Sequence, residues 1–188
     1  DMIYTGVAFA GSIHKSIAIT NAPFVLRDFD HWKAYRLSPL FRDISKGYED
    51  KTRHKVITLT YYGQRMVTAN KEIKKPEDMK GMKFRTVGLA VDIYTEQGAA
   101  VNPLPGGEIV PALDRGLIDG AEFNNASSDR ILGFPDVTKV CMLQSFHQST
   151  EQFEILFNKG KYDALPTELK AVIDYAVQAA SADMSWKA

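Results

Sequence analysis

The chain has 188 residues, 45% of them hydrophobic, and its 23 lysines and arginines are matched by 23 aspartates and glutamates. That length holds one domain or two small ones with a sizeable core, and a charge sum of zero supplies no field to recruit nucleic acid or an anionic membrane. Cys141 has no second cysteine to pair with, which excludes an internal disulfide, and no apolar run reaches the length of a membrane-crossing helix.

Residues 1–5 (DMIYT) read as a short strand, and residues 8–20, rich in small side chains with an irregular apolar pattern, as mostly helix. Asp30 is placed to cap a short helix containing Trp32 and Tyr35. Ser38 followed by Pro39 is a stronger start signal: serine accepts from an orphan N–H, and proline at the first helical position has none to waste. Leu40, Phe41, Ile44 and Tyr48 then share one face of that helix. Residues 56–62 are β-branched and aromatic, end at Gly63, and read as a strand.

The segment from Pro76 to Asp129 carries the most information. A loop with Gly81 precedes the strand 82–86; a helix 91–97 ends at Gly98; a strand 100–104 meets Pro105, Gly106 and Gly107, which open the helix 108–115. Gly116 ends that helix, and the strand 117–122 follows. Alternating strands and helices with short connections predict a parallel or mixed sheet covered by helices. Residues 137–143 and 152–158 read as two further strands, the second alternating through Phe153, Ile155 and Phe157. Cys141 falls in the first of them and reads as a small buried hydrophobe. The last element starts near Pro166 and sets Leu169, Val172, Ile173, Ala176, Val177, Ala180 and Met184 at helical spacing.

Polar residues stand where the apolar runs stop. Arg85 closes one strand and Glu122 another, and in open α/β sheets ligands are held at the carboxyl ends of strands. An arginine there can grip a carboxylate through two parallel N–H···O bonds, which a lysine cannot imitate. The bland alternative is an arginine paired with a neighbouring carboxylate. Glu108 in the first turn of its helix is explained by the helix dipole, and Asp78, Asp119 and Asp129 sit at turns or caps. His14, His31, His54 and His147 show no zinc-like spacing with one another or with Cys141.

The order and spacing of PEDMKGMKFR, the GLA after it, LPGGEIVPALDRGLIDGAEF and the later SFHQ resemble the DctP-type solute-binding proteins of TRAP transporters, most of all the branch that binds 2-oxo acids and related small organic acids. The resemblance runs over nearly the whole chain. It implies an α/β, two-lobed periplasmic-binding-protein fold, with mixed parallel sheets flanked by helices and incomplete at both ends. Residues 1–63 would be the remainder of the first lobe, the hinge and the crossover into the second. Residues 64–158 would be mostly the second lobe, with the carboxylate clasp and the return strands, and 159–188 a truncated C-terminal helix. The expected function is that of a periplasmic receptor, not an enzyme, which closes on a small organic acid and delivers it to TRAP permease subunits in the membrane.

The resemblance also assigns residues. Arg85 matches the arginine that clasps the ligand carboxylate, and Gln64 a polar side chain that helps hold it, with Arg65 beside it as an alternative. Glu122 and Phe123 match an acidic residue and an aromatic that is usually tryptophan, so this chain lacks the indole donor there. Asn124 and Asn125 stand where the branch carries apolar or glycine residues; they add donors and acceptors, or cap the helix 126–132. Phe146 and Gln148 flank His147, with Gln148 where the family often has Glu. In the oxo-acid branch a cation commonly bridges the ligand, which makes Glu122, the carbonyl of Phe123 and Gln148 the ligands of a possible Na+ or Ca2+. The rival readings are an enzyme using Glu122 or His147 as acid and base, and a ligand-sensing domain for a small carboxylate.

Overall fold

The computed structural model describes residues 2–62, 67–142, 147–148 and 151–187. The chain opens with β1 (Met2–Gly6), two 3-10 turns (Val7–Ser12 and Lys15–Asn21), α1 (Phe29–Arg36), α2 (Pro39–Thr52) and β2 (His54–Tyr62). A second series follows: β3 (Val67–Ala69), β4 (Lys83–Arg85), α3 (Ala90–Glu96), β5 (Ala100–Val101), α4 (Gly106–Asp114), β6 (Gly120–Glu122), α5 (Ala126–Leu132), α6 (Phe134–Val137) and β7 (Val140–Met142). The chain then returns through β8 (Glu151–Asn158), α7 (Lys159–Asp163) and the long α8 (Thr167–Lys187).

Two sheets result. The first has the order β1-β8-β2, with both pairings antiparallel. The second has the order β5-β4-β6-β3-β7; β4 runs parallel to β5 and β6, and β3 antiparallel to β6 and β7. The mixed character follows from the connections, since the helices that carry the chain between β4, β5 and β6 return it in the same direction. Each sheet has its own core. Trp32, Ile44 and Tyr48 pack on Val56 and Leu156 in the first; in the second, Met79, Met82, Phe84 and Tyr94 form one cluster and Ile109, Leu113, Ile118 and Phe134 another. At Gly120 a Cβ would meet Met82 Cε at 2.8 Å and the Thr68 carbonyl at 3.0 Å, so only glycine lets β6 sit this close to its neighbours.

Local signals act largely as expected. Ser38 accepts from the Phe41 N–H at the start of α2, with Pro39 in its first turn, and Gly98 and Gly116 take the positive φ that ends a helix. Several expectations are corrected. Asp28, not Asp30, caps α1 by accepting from the His31 N–H. Residues 8–20 form 3-10 turns, not an α-helix, because small residues give little packing to hold a longer helix in place. The strand expected over 100–104 is only Ala100–Val101, stopped by Pro103, and the one over 137–143 is only Val140–Met142, preceded by α6. Cys141 is exposed on the edge strand β7. Leu40 is exposed on α2, and α8, which packs along β2, exposes Leu169 and Val172 while burying Val177. Among the described residues no helix is long and apolar enough to cross a membrane.

The first lobe buries one group that titrates near neutrality. Glu154 on β8 is 1% exposed, accepts from the Tyr48 hydroxyl at 3.1 Å and leaves Oε2 unpartnered. Burial pushes its carboxyl up to about 7, against a small downward pull from the Tyr48 bond. The folded state therefore holds this proton more tightly than the unfolded chain does. Its contribution is fully present below the ordinary carboxylate range and is lost as pH rises through about 7. Glu154→Gln should be close to neutral at pH 4.5 and stabilise by up to about 3 kcal/mol above pH 8, as read by urea unfolding at the two pH values.

Candidate functional site

The carboxyl ends of β4 and β6 lie side by side, with Arg85 paired to Ala121 in parallel register. This places Arg85, Thr86, Glu122 and Phe123 along one edge of the second sheet, the edge from which the chain crosses to and from the first. Glu122 also faces Val67 at the start of β3, and Val67 faces Met142 at the end of β7. The outgoing and returning segments thus leave from neighbouring strands. On the other side Tyr62 faces Glu151, so they meet the first sheet as neighbours too.

Arg85 is 2% exposed. Its Nε donates to the Leu104 carbonyl at 2.9 Å and its Nη1 to the Glu122 carbonyl at 2.6 Å. Main-chain carbonyls orient the fork without carrying a negative charge. The guanidinium carbon lies 5.8 Å from the Phe123 ring centroid, within cation–π range. Phe123 is seated by Gly106, where a Cβ would stand 2.6 Å from the ring, so the glycine after Pro105 makes room for it.

Glu122 is fully buried and engages both carboxylate oxygens. Oε1 accepts from the Thr86 hydroxyl, and Oε2 lies 2.6 Å from His147 Nε2. A carboxylate accepts here, so the ring proton sits on Nε2, while Nδ1 faces the Tyr94 hydroxyl at 3.4 Å. The His147 carbonyl in turn accepts from the Phe24 N–H at 2.6 Å. Phe24 belongs to the first lobe, so a continuous chain of contacts runs from it through His147 and Glu122 to Arg85.

The other expected site residues divide. Asn124 is 7% exposed and its N–H donates to Asp129 Oδ1 at 3.3 Å; Asn125 caps α5 by accepting from the Ser128 N–H, so its role is the cap. Gln148 is 5% exposed beside His147, and its Nε2 has no hydrogen-bond partner. Gln64 and Phe146, like Arg65, lie outside the described residues. Asp119 and Asp78 bond main-chain N–H groups and are structural, and Glu108 is exposed. The sequence names His147 only with Glu122 in the rival enzyme reading and gives no sign that the two touch, since a partner 25 residues away leaves no local signal.

A cavity of about 740 Å³ opens beside this cluster, walled by Phe24, Met79, Ile93, Tyr94, Met142 and His147. Arg85 and Glu122 are not in its lining. Its walls are mainly apolar and one of its lysines, Lys74, is paired with Glu72 at 2.6 Å. For a hard cation, both Glu122 oxygens are already turned to hydrogen-bond donors, and among the described residues no three His, Cys, Asp or Glu side chains are grouped to hold a metal. A bridging Na+ or Ca2+ would have to take Glu122 from the Thr86 hydroxyl or the His147 ring.

Two α/β lobes joined by paired crossing segments, with an oriented arginine at the strand ends between them, are the architecture of a bacterial solute receptor. The chain belongs to the DctP family, described as bacterial extracellular solute-binding protein, family 7, whose sequence model matches residues 1–188. It is 29% identical over 169 residues to a solute-binding protein of Sulfitobacter sp. (strain NAS-14.1), covering 89% of this chain and 50% of that one. Against the monocarboxylate 2-oxoacid-binding periplasmic protein of Nostoc sp. (strain PCC 7120) it is 34% identical over 114 residues, 61% of this chain and 31% of that one. The crystal structure of a TRAP periplasmic solute binding protein from the same Sulfitobacter with bound alpha-D-taluronate matches 98% of this chain and 60% of that chain, at TM-score 0.85 and 27% identity. One from Xanthobacter autotrophicus Py2 with bound beta-D-galacturonate matches 98% and 61%, at TM-score 0.84 and 26% identity. The chain spans at most about half the length of these two sequence relatives.

Glu122→Ala would remove the acceptor of both Thr86 and His147 inside the protein, and breaking such a buried pair costs about 3 kcal/mol or more. Urea unfolding should show a loss of that size. Glu108→Ala, at an exposed position, should change stability by no more than about 0.5 kcal/mol.

Proposed function

We propose that this chain is the ligand-holding part of a periplasmic receptor that binds a small organic acid and delivers it to the membrane permease of a TRAP transporter. The observation that carries the reading is Arg85, buried at the carboxyl end of β4 with its fork oriented by the Leu104 and Glu122 carbonyls. A preoriented guanidinium loses little freedom on taking a carboxylate, so more of the contact energy is left for binding. Family membership supports the receptor role. The relatives with bound galacturonate, taluronate and D-erythronate, and the 2-oxoacid-binding protein of Nostoc, support a carboxylate ligand.

The ligand would sit between the strand ends of the second lobe and the first lobe, and the two crossing segments would serve as the hinge. Closure is favoured only by contacts that the ligand makes in the closed form and not in the open one. No bond is made or broken in this role. The saturation of the Glu122 carboxylate supports a pocket that takes its acid without a bridging cation.

Titration calorimetry of the full protein with D-galacturonate, D-erythronate and pyruvate tests the reading. At least one acid should bind, and Arg85→Ala should weaken it about a hundredfold or more, since truncating a buried charge pair costs about 2–5 kcal/mol. Arg85→Lys keeps the charge and loses the fork; it should weaken binding by at least about tenfold with the circular dichroism unchanged. Parent-like affinity in a folded Arg85→Lys protein would make the arginine a structural residue. Adding a chelator to the parent protein should leave its affinity the same; a fall would restore the cation.

A further inference from the structure

Two small residues bring the lobes together away from the crossing segments. A Cβ added at Gly88, in the loop after β4, would stand 3.3 Å from Ala8 Cβ and 4.0 Å from Ala8 Cα, so no side chain fits at 88 unless a neighbour yields. Both residues are firmly carried. Ala8 sits in the first 3-10 turn, whose Val7 and Ala10 are buried in the core with Trp32 and Ile44. Gly88 stands three residues past Arg85, holds φ at +68°, and its carbonyl accepts from the Val91 N–H at 3.3 Å where α3 begins. Between Arg85 and Gly88, Thr86 is tied to Glu122 through its hydroxyl and Val87 is buried.

Topology places this contact off the line of the crossings. In the first sheet the crossings use β2 and β8, and Ala8 follows β1, outside that pair; in the second they use β3 and β7, and Gly88 follows β4, two strands from β3. Neighbouring strands lie about 4.8 Å apart, which carries the end of β4 roughly 10 Å from β3. Points so far from a hinge line approach and part as the lobes bend, unlike Phe24 and His147, which meet on the returning segment itself. We propose that Ala8 and Gly88 are the stop against which the receptor shuts, and that their lack of bulk lets the lobes close over an acid held at Arg85. This rests on the receptor reading above.

The depth of closure is set by what stands between the two walls. Gly88 presents only backbone and Ala8 a single methyl, so the walls approach until main chain meets methyl. A gap of only about 0.5–1 Å forfeits a quarter to a half of a dispersion contact, so a side chain wedged here weakens every contact that the closed form makes across the cleft. Acid affinity falls with it, because the ligand favours the shut form through contacts made only there. The positive φ of Gly88 favours glycine whatever lies opposite. Bulk added at Ala8 therefore isolates the steric effect.

The test compares the full protein with Ala8→Phe, with Ser12→Phe as equal bulk at an exposed position of the same turn, and with the Ala8→Cys/Gly88→Cys protein. Titration calorimetry uses D-galacturonate, D-erythronate and pyruvate. For the acid that the parent binds, Ala8→Phe should lose about tenfold or more in affinity and Ser12→Phe less than about twofold, both with parent-like circular dichroism. The Cβ separation of 3.3 Å lies just under the roughly 3.5–4.5 Å of a disulfide, so oxidised glutathione should form an 8–88 crosslink, identified by peptide mass, about tenfold or more faster with that acid present. Crosslinked with acid inside, the protein should release it about a hundredfold or more slowly; crosslinked empty, it should take none until reduced. Parent-like affinity in a folded Ala8→Phe protein overturns the proposal, as does no crosslink in the presence of acid, or a crosslinked protein that exchanges acid at the parent rate; the receptor reading stands through each of these. Should Ala8→Phe fail to fold, the crosslink decides. A parent that binds none of the three acids overturns both.

Discussion

Glu122 is the residue through which the site is assembled. Its carbonyl fixes one arm of Arg85, its carboxylate takes the Thr86 hydroxyl and the His147 ring, and its backbone pairs β6 with β3. A fully buried carboxylate is costly unless donors meet it, and here they come from Thr86 at the end of β4 and from His147 on the returning segment. The position of each depends on the others. Arg85 is therefore held indirectly by the segment that leads back to the first lobe.

That segment is one of two crossings between the sheets, and both sheets receive the crossings as adjacent strands: β2 beside β8 in the first, β3 beside β7 in the second. A single connection would let the lobes swing in any direction. Two, anchored side by side at each end, would in the receptor proposed above confine the motion to bending about the line that joins them.

The strand ends were legible because the code for them is local. Apolar runs that stop at Arg85 and Glu122, glycines that end helices, and Ser38 before Pro39 all act within a few residues. The helices over 39–52 and 106–114 and the parallel course of β4, β5 and β6 follow from the same signals. What sequence did not disclose depends on partners far along the chain. His147 matters through Glu122 and Phe24, neither of them near it in sequence. β8 invited reading its Phe153, Ile155 and Phe157 face as the inner one. It is the middle strand of its sheet, and its other face carries Gln152, Glu154 and Leu156 at 0%, 1% and 4% exposure. Alternation identifies an inner face only when the other meets water, and a central strand covered on both sides offers no such contrast.

Contacts between the lobes differ in kind from those within them. The three apolar clusters among the described residues each stay inside one lobe, while the contact joining Phe24 to His147 is a hydrogen bond. Phe24 holds φ at +64°, a left-handed conformation that aromatic residues rarely adopt and that persists only where surrounding contacts enforce it. Breaking that bond would exchange it for bonds to water and release that strain. It is not the single tie between the two series of elements, since the Ser127 hydroxyl on α5 donates to the Lys187 carbonyl of α8 at 3.0 Å.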